Sequence, residues 1–219
     1  MKYYPVNLDV RNRECLVVGG GGIGTRKVET LLKCGAKVTV ISLAASPKLA
    51  ELAEKREISL LKRPYESEDQ DGKFLIIAAT DDESLNRRIY EDAEKSQKPC
   101  NIVDRPEICS FIVPSIISRG DLTIAISTSG TSPAFAKRLR KDLETMFGKE
   151  YETFLELMGA VREKVLKENR DPDARKVVFE QLAGSGIPEM IRDGDTAGID
   201  RILRDVLGKG YGYEDLMGG

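Results

Sequence analysis

The sequence predicts an α/β fold: a parallel sheet with crossover helices, then a strand-and-helix element, then a helical carboxyl end. Three observations carry this. Short apolar runs alternate with longer amphipathic stretches through the first half of the chain. Two neighbouring strand-like runs follow, and beyond Gly148 apolar residues recur at helical spacing alone.

The first runs are CLVVG at 15 to 19, KVTVI at 37 to 41, ISLL at 58 to 61, FLIIAA at 74 to 79 and CNIV at 100 to 103. Between them Ile23, Val28, Leu31 and Leu32, then Leu49, Leu52 and Ala53, then Leu85, Ile89 and Ala93 stand at helical spacing, so each crossover has a face to bury. After Asp104 come FIVPSIIS at 111 to 118 and LTIAIST at 122 to 128, joined by Arg119, Gly120 and Asp121 as a hairpin. Ser132 then caps a helix with Pro133 at its first position, and Phe135, Leu139, Leu143 and Phe147 mark one apolar stripe. Tyr151, Phe154, Leu155, Met158, Val161 and Val165 begin the helical end, with further helices around 177 to 182 and 199 to 207. The glycine-rich tail GKGYGYEDLMGG predicts a poorly ordered terminus.

Composition narrows the function. The 219 residues carry 34 Lys and Arg against 36 Asp and Glu, a net charge of -2, which gives no global field for nucleic acid or acidic lipid. The first residues lack a signal-peptide pattern and no apolar run is long enough for a membrane span, so the expectation is a cytoplasmic protein without membrane or nucleic-acid partners. Cys15, Cys34, Cys100 and Cys109 form no CxxC pair and read as reduced structural residues. Histidine is absent, so any acid or base work falls to Asp, Glu, Lys, Tyr or Cys, and no metal ligand set is expected.

Gly19, Gly21 and Gly24 form GxGxxG directly after the first strand and at the start of the first helix. That spacing permits a tight turn, lets backbone approach a pyrophosphate, and packs helix against strand. The helix amides and dipole then face the phosphates. The context on both sides makes this a Rossmann dinucleotide site. The ribose-binding acid expected at the end of the second strand is missing, and SLAASPK stands there instead. No arginine follows that strand to receive a ribose phosphate, so NAD is the reading taken over NADP.

Asp104 ends the fifth strand at the rim where doubly wound sheets place ligands. From spacing alone it reads equally as a proton acceptor or as a residue shaping the turn before Arg105 and Pro106. Thr80 ends the fourth strand near the expected nicotinamide ribose, but Thr80 and Glu83 also fit a capping box, and Asp81 and Asp82 read as structural. The loop from Ser127 to Pro133 could form a carboxylate-binding nest or an ordinary helix cap. Lys137, Arg138, Arg140 and Lys141 behind it could attract a polyanion or form a solvated face.

The segments VVGGGGIGTRKVETLLKCGAKVTVI, FLIIAATDDESLNRRI, NIVD and SFIVPSIISRGDLTIAISTSGTSPAFAKRLRKDLE together resemble the precorrin-2 dehydrogenase module of siroheme synthases, over about residues 3 to 147. The resemblance implies NAD-dependent oxidation of precorrin-2 to sirohydrochlorin by a homodimer. It divides the chain into an NAD-binding Rossmann domain at 1 to 112, a dimerisation element at 113 to 147 and a helical substrate-covering domain at 148 to 219. It implies cofactor contacts at Gly22, Ile23, Leu43 and Ala44, beside Gly19, Gly21, Gly24 and Thr80. It places the acid/base aspartate at Asp104. It makes Arg105, Arg119, Arg138, Ser129, Gly130, Thr131 and Ser132 contacts for a substrate with many carboxylates. Some members also insert iron, which leaves ferrochelatase as a second activity. A non-catalytic NAD-sensing module is the alternative from another class.

Overall fold

The computed structural model describes residues 2–168 and 171–218. They fall into two compact units, Met1–Val113 and Pro114–Gly219.

In the first unit the order is β1 (Glu14–Val18), α1 (Gly22–Lys33), β2 (Lys37–Ile41), α2 (Pro47–Glu54), β3 (Ile58–Leu61), β4 (Leu75–Ala78), α3 (Glu83–Lys95) and β5 (Cys100–Ile102). The five strands form one parallel sheet in the order β3-β2-β1-β4-β5. Side chains alternate across it. Cys15 and Val17 of β1 join Val28, Leu31, Leu49 and Leu52 on the α1–α2 face. Leu16 and Val18 join Tyr65, Ile89 and Ala93 on the other, under α3. Both faces are covered, which is why the central strands β1 and β4 read as apolar runs. The order reverses between β1 and β4, so the loops after these two strands diverge and leave a crevice at the carboxyl ends.

The outer edge of β5 is guarded by residues 109 to 111. Ser110 N–H donates to the Cys100 carbonyl at 2.9 Å, its hydroxyl accepts from Cys100 N–H at 2.7 Å, and Ile102 N–H reaches Cys109 Sγ at 3.1 Å. This corrects the strand expected over 111 to 118. The Phe111 carbonyl accepts from Asn101 Nδ2 at 3.0 Å, and Pro114 has no N–H to give a ladder, so pairing starts at Ser115.

In the second unit β6 (Ser115–Arg119) pairs antiparallel with β7 (Leu122–Ile126), Arg119 facing Leu122, so Gly120 and Asp121 alone make the turn. Ser132 caps α4 (Pro133–Met146), its hydroxyl accepting from Phe135 N–H at 3.3 Å. Leu139 and Leu143 pack on Ile117, Ile126 and Ala136, whereas Phe135 of the same stripe is 56% exposed.

α5 (Glu150–Lys167), α6 (Pro172–Ala183), α7 (Ile187–Asp193), α8 (Thr196–Leu207) and α9 (Tyr213–Met217) enclose a core of Phe154, Leu157, Val161, Leu182, Ile187, Ile199 and Leu203. Asp171 and Asp195 cap α6 and α8 through their side chains. The tail expected to be poorly ordered is packed instead. Tyr211 is 5% exposed within this core, Tyr213 N–H donates to Asp200 Oδ1 at 2.7 Å, and Lys164 Nζ bonds the Gly210 carbonyl. Glycine content signalled flexibility, but two aromatic side chains among the glycines supply the burial that orders it. No helix among the described residues is long and apolar enough to cross a membrane.

Candidate active site

The crevice at the switch point is a cavity of about 760 Å³ in the first unit. Gly19, Gly21, Gly22 and Ile23 line it from the turn after β1, Leu43 and Ala44 from the loop after β2, and Thr80 from the loop after β4. Seven of the residues expected at a dinucleotide site therefore face one space.

The glycines divide the labour. Gly19 has φ +113, and a Cβ there would lie 2.1 Å from the Ala79 carbonyl oxygen, so the turn passes directly under the β4 loop. Gly24 does not line the cavity. It packs α1 on β1, with room for a Cβ only 2.2 Å from the Gly19 carbonyl oxygen. Around Gly21 and Gly22 nothing lies within 4 Å of an added Cβ, so the backbone is open to a ligand. No side chain caps the start of α1 and no acid stands in its first turn. Free helix amides with no competing carboxylate fit a pyrophosphate.

The loop after β2 is held by the site it serves. Ser46 N–H donates to the Gly20 carbonyl at 2.9 Å, and the Ser46 hydroxyl is bonded to Thr25 Oγ1 at 2.8 Å while capping α2. The Ser42 hydroxyl donates to the Ala44 carbonyl at 2.7 Å. Leu43 is left 75% exposed at the cavity mouth. On the β4 side the cap of α3 is Asp82, which accepts from Ser84 and Leu85 N–H. This corrects the capping box of Thr80 and Glu83: Thr80 Oγ1 is bonded to Asn86 Oδ1 at 2.7 Å, and Glu83 pairs with Arg105.

Asp104 lies exposed just past the end of β5, with φ +60. Few residues other than glycine accept that backbone, aspartate being one, and it marks a position held by its surroundings. Cys109 does the holding: its Sγ is 3.2 Å from the Ile102 carbonyl and 3.1 Å from the Arg105 carbonyl, closing the loop on both sides of Asp104. Burial pushes the Cys109 thiol up, which keeps it protonated as the donor in these contacts. Lys27, half-buried on α1, has its pKa lowered by burial and by Arg26, with Asp104 and Cys109 acting the other way.

The substrate candidates other than Arg105 lie in the second unit. The Arg119 guanidinium donates to the carbonyls of Phe147 at 2.9 Å, Ser118 at 2.9 Å and Glu144 at 3.5 Å, tying β6 to the end of α4. Arg138 is exposed and 3.8 Å from Asp142. In the loop before α4, Ser129 has φ +53 and Gly130 φ +86. Its amides are largely used internally: Ser129 N–H on Ser127 Oγ at 3.1 Å, Thr131 N–H on the Thr128 carbonyl at 2.9 Å, Ser132 N–H on Thr128 Oγ1 at 3.1 Å. Hydroxyls rather than a ring of free amides are what this loop offers a ligand.

Residues 6–115 match the family model described as "Putative NAD(P)-binding", and residues 119–146 match that of the sirohaem biosynthesis protein central segment. The chain belongs to this NAD(P)-binding family. The resemblance read from the motifs is borne out further by curated relatives. Siroheme synthases of Thioalkalivibrio sulfidiphilus and Neisseria meningitidis are 38% and 35% identical, each across 100% of this chain. The chain spans 45% and 46% of their lengths, under half of each. Among solved structures, SirC, a precorrin-2 dehydrogenase, superposes with a TM-score of 0.79 at 25% identity, covering 93% of this chain and 98% of that one.

In this family member, the cavity-lining residues that sequence reasoning missed include Arg63, Tyr65 and Arg88. Arg63 and Tyr65 follow β3, and Arg88 lies on α3 with its guanidinium 5.1 Å over the Tyr65 ring. The Tyr65 hydroxyl donates to Asp92 Oδ2 at 3.1 Å and accepts from Gln70 Nε2 at 2.8 Å. The signal was the segment KRPY directly after ISLL, at the carboxyl end of a strand adjacent to β2.

Proposed function

We propose that this chain oxidises precorrin-2 to sirohydrochlorin with NAD, as a step in siroheme biosynthesis. The observation that carries the reading is the open glycine backbone at the start of α1 facing a dinucleotide-sized cavity, in a chain whose central segment is of the sirohaem biosynthesis type. Bound there, the dinucleotide supplies a hydride acceptor.

The chain's own residues do the rest. The amides of Gly21, Gly22 and Ile23 hold the pyrophosphate, Leu43 and Ala44 flank the adenosine, and Thr80 lies beside the path toward the nicotinamide. Asp104 accepts, at a carboxylate oxygen, the proton that precorrin-2 loses with the hydride, so the substrate gives up two hydrogens in all. Arg105, Arg138, the remaining donors of Arg119 and the hydroxyls of Ser129, Thr131 and Ser132, with Gly130 between them, are the contacts proposed for substrate carboxylates. We assign 1 to 112 to cofactor binding, 113 to 147 to pairing of two copies, and 148 to 219 to covering the substrate. Pairing as a homodimer is supported by apolar side chains left exposed on the central element, Ile116, Phe135 and Met146.

The Asp104→Ala variant tests this. It is expected to bind NAD like the parent while losing NADH formation from precorrin-2, and full turnover in the variant would remove Asp104 from the chemistry. A sensing module would instead keep its ligand response and show no turnover in either form.

A further inference from the structure

Helix α1 serves more than the dinucleotide cavity. Ile23 lines that cavity, and Lys27 and Leu31, which follow at intervals of four on the same helix face, line a second one of about 220 Å³. Another wall is Phe111 and Val113, in the segment that runs on from the Asp104 loop past Cys109. Leu75 and Ile77 of β4, each 3% exposed, give it an apolar floor. Arg26, exposed, and Lys27, half-buried, add two adjacent cations. Among the described residues neither of these side chains has an ion-pair or hydrogen-bond partner.

Resting on the dehydrogenase reading above, we infer that this second cavity is a subsite for one carboxylate-bearing arm of the substrate, with Lys27 and Arg26 holding the carboxylate. Size decides what fits. Cavities for whole small molecules run from roughly 300 Å³ upward, so about 220 Å³ takes a side chain of a tetrapyrrole and not the ring. The lining matches such an arm: its methylene groups lie against Leu75, Ile77, Phe111 and Val113, and its charged end meets a lysine and an arginine. The charged groups facing Lys27 are Arg26 on its own helix and Asp104 and Cys109 from the loop after β5. Burial and the Arg26 charge lower the Lys27 pKa, and a carboxylate beside the pair offsets both effects. Because Lys27 also feels Asp104, an arm anchored here fixes how the ring meets the proposed proton acceptor.

The test is steady-state turnover of precorrin-2 with NAD by the whole chain, beside NADH titration followed by fluorescence. Lys27→Met is expected to raise KM for precorrin-2 by at least about tenfold, the worth of one charge-assisted contact, with kcat within about threefold and NADH affinity unchanged. Lys27→Arg, which keeps the charge, is expected to stay within about threefold of the parent KM. An unchanged KM in Lys27→Met overturns the inference, as does a fall in kcat alone, which would make Lys27 a partner of Asp104 instead. A rise in Lys27→Arg equal to that in Lys27→Met marks a structural role and overturns it too. If Lys27→Met does not fold, Arg26→Glu at its exposed position decides: KM should rise by at least about tenfold, and an unchanged KM overturns the subsite. If the parent forms no NADH, the dehydrogenase reading fails by itself, and binding of sirohydrochlorin, followed by its absorbance, tests the subsite. Weaker binding to Lys27→Met then supports it, and equal binding to both chains, or none to the parent, overturns it.

Discussion

Asp104 was visible in the sequence as an acid at a strand end, but its backbone was not. The structure adds a left-handed conformation at φ +60 that asparagine also tolerates, so Asp104→Asn should keep the loop while removing the proposed proton acceptor. Its kcat is expected to fall by about 10²- to 10⁴-fold with nucleotide affinity unchanged, as read by steady-state rates beside NADH titration. Gly24 is a different kind of residue. Glycine here keeps α1 on β1, and Gly24→Ala drives a methyl to within 2.2 Å of the Gly19 oxygen. The expected cost is about 1–3 kcal/mol by urea unfolding, together with weaker nucleotide binding as the turn shifts. Asp69 carries a pH signature. The Arg63 guanidinium beside it holds its carboxyl below the usual carboxylate range. A depressed folded-state pKa stabilises above the unfolded value and is lost as pH falls through the folded one. Asp69→Asn should therefore flatten the loss of stability on acidification below the ordinary carboxylate range, measured by unfolding at stepped pH.

At the scale of elements, the central strands β1 and β4 were the most legible, because they are buried on both faces and announce themselves as apolar runs. Helix ends were less so. Thr80 and Asp82 both offer caps two residues apart, and the choice of Asp82 depends on Asn86 holding Thr80 elsewhere. Arg63 was invisible as a site residue because its importance lies in the pairing of β3 with β2, a relation that reading along the chain after β2 alone does not expose. The late start of β6 has the same origin, since residues 109 to 111 serve the edge of β5. That edge supports a prediction. Cys109→Ala removes the sulfur that closes the Asp104 loop, and should lower kcat more than nucleotide affinity while costing about 1 kcal/mol of stability, seen by comparing turnover, titration and denaturation.

For the whole molecule, the division into a parallel-sheet unit and a second unit of hairpin and helices puts the proposed cofactor contacts and Asp104 in one and most proposed substrate contacts in the other. Each unit has its own core, and the tail belongs to the second: Tyr211→Ala should cost about 3–5 kcal/mol there, as for a buried aromatic, and leave NADH binding intact. The proposed activity stands on one reaction. Anaerobic precorrin-2 mixed with NAD and this chain, followed by absorbance, should show sirohydrochlorin growing in step with an equal amount of NADH. A bound nucleotide with no NADH and an unchanged precorrin-2 spectrum would contradict it.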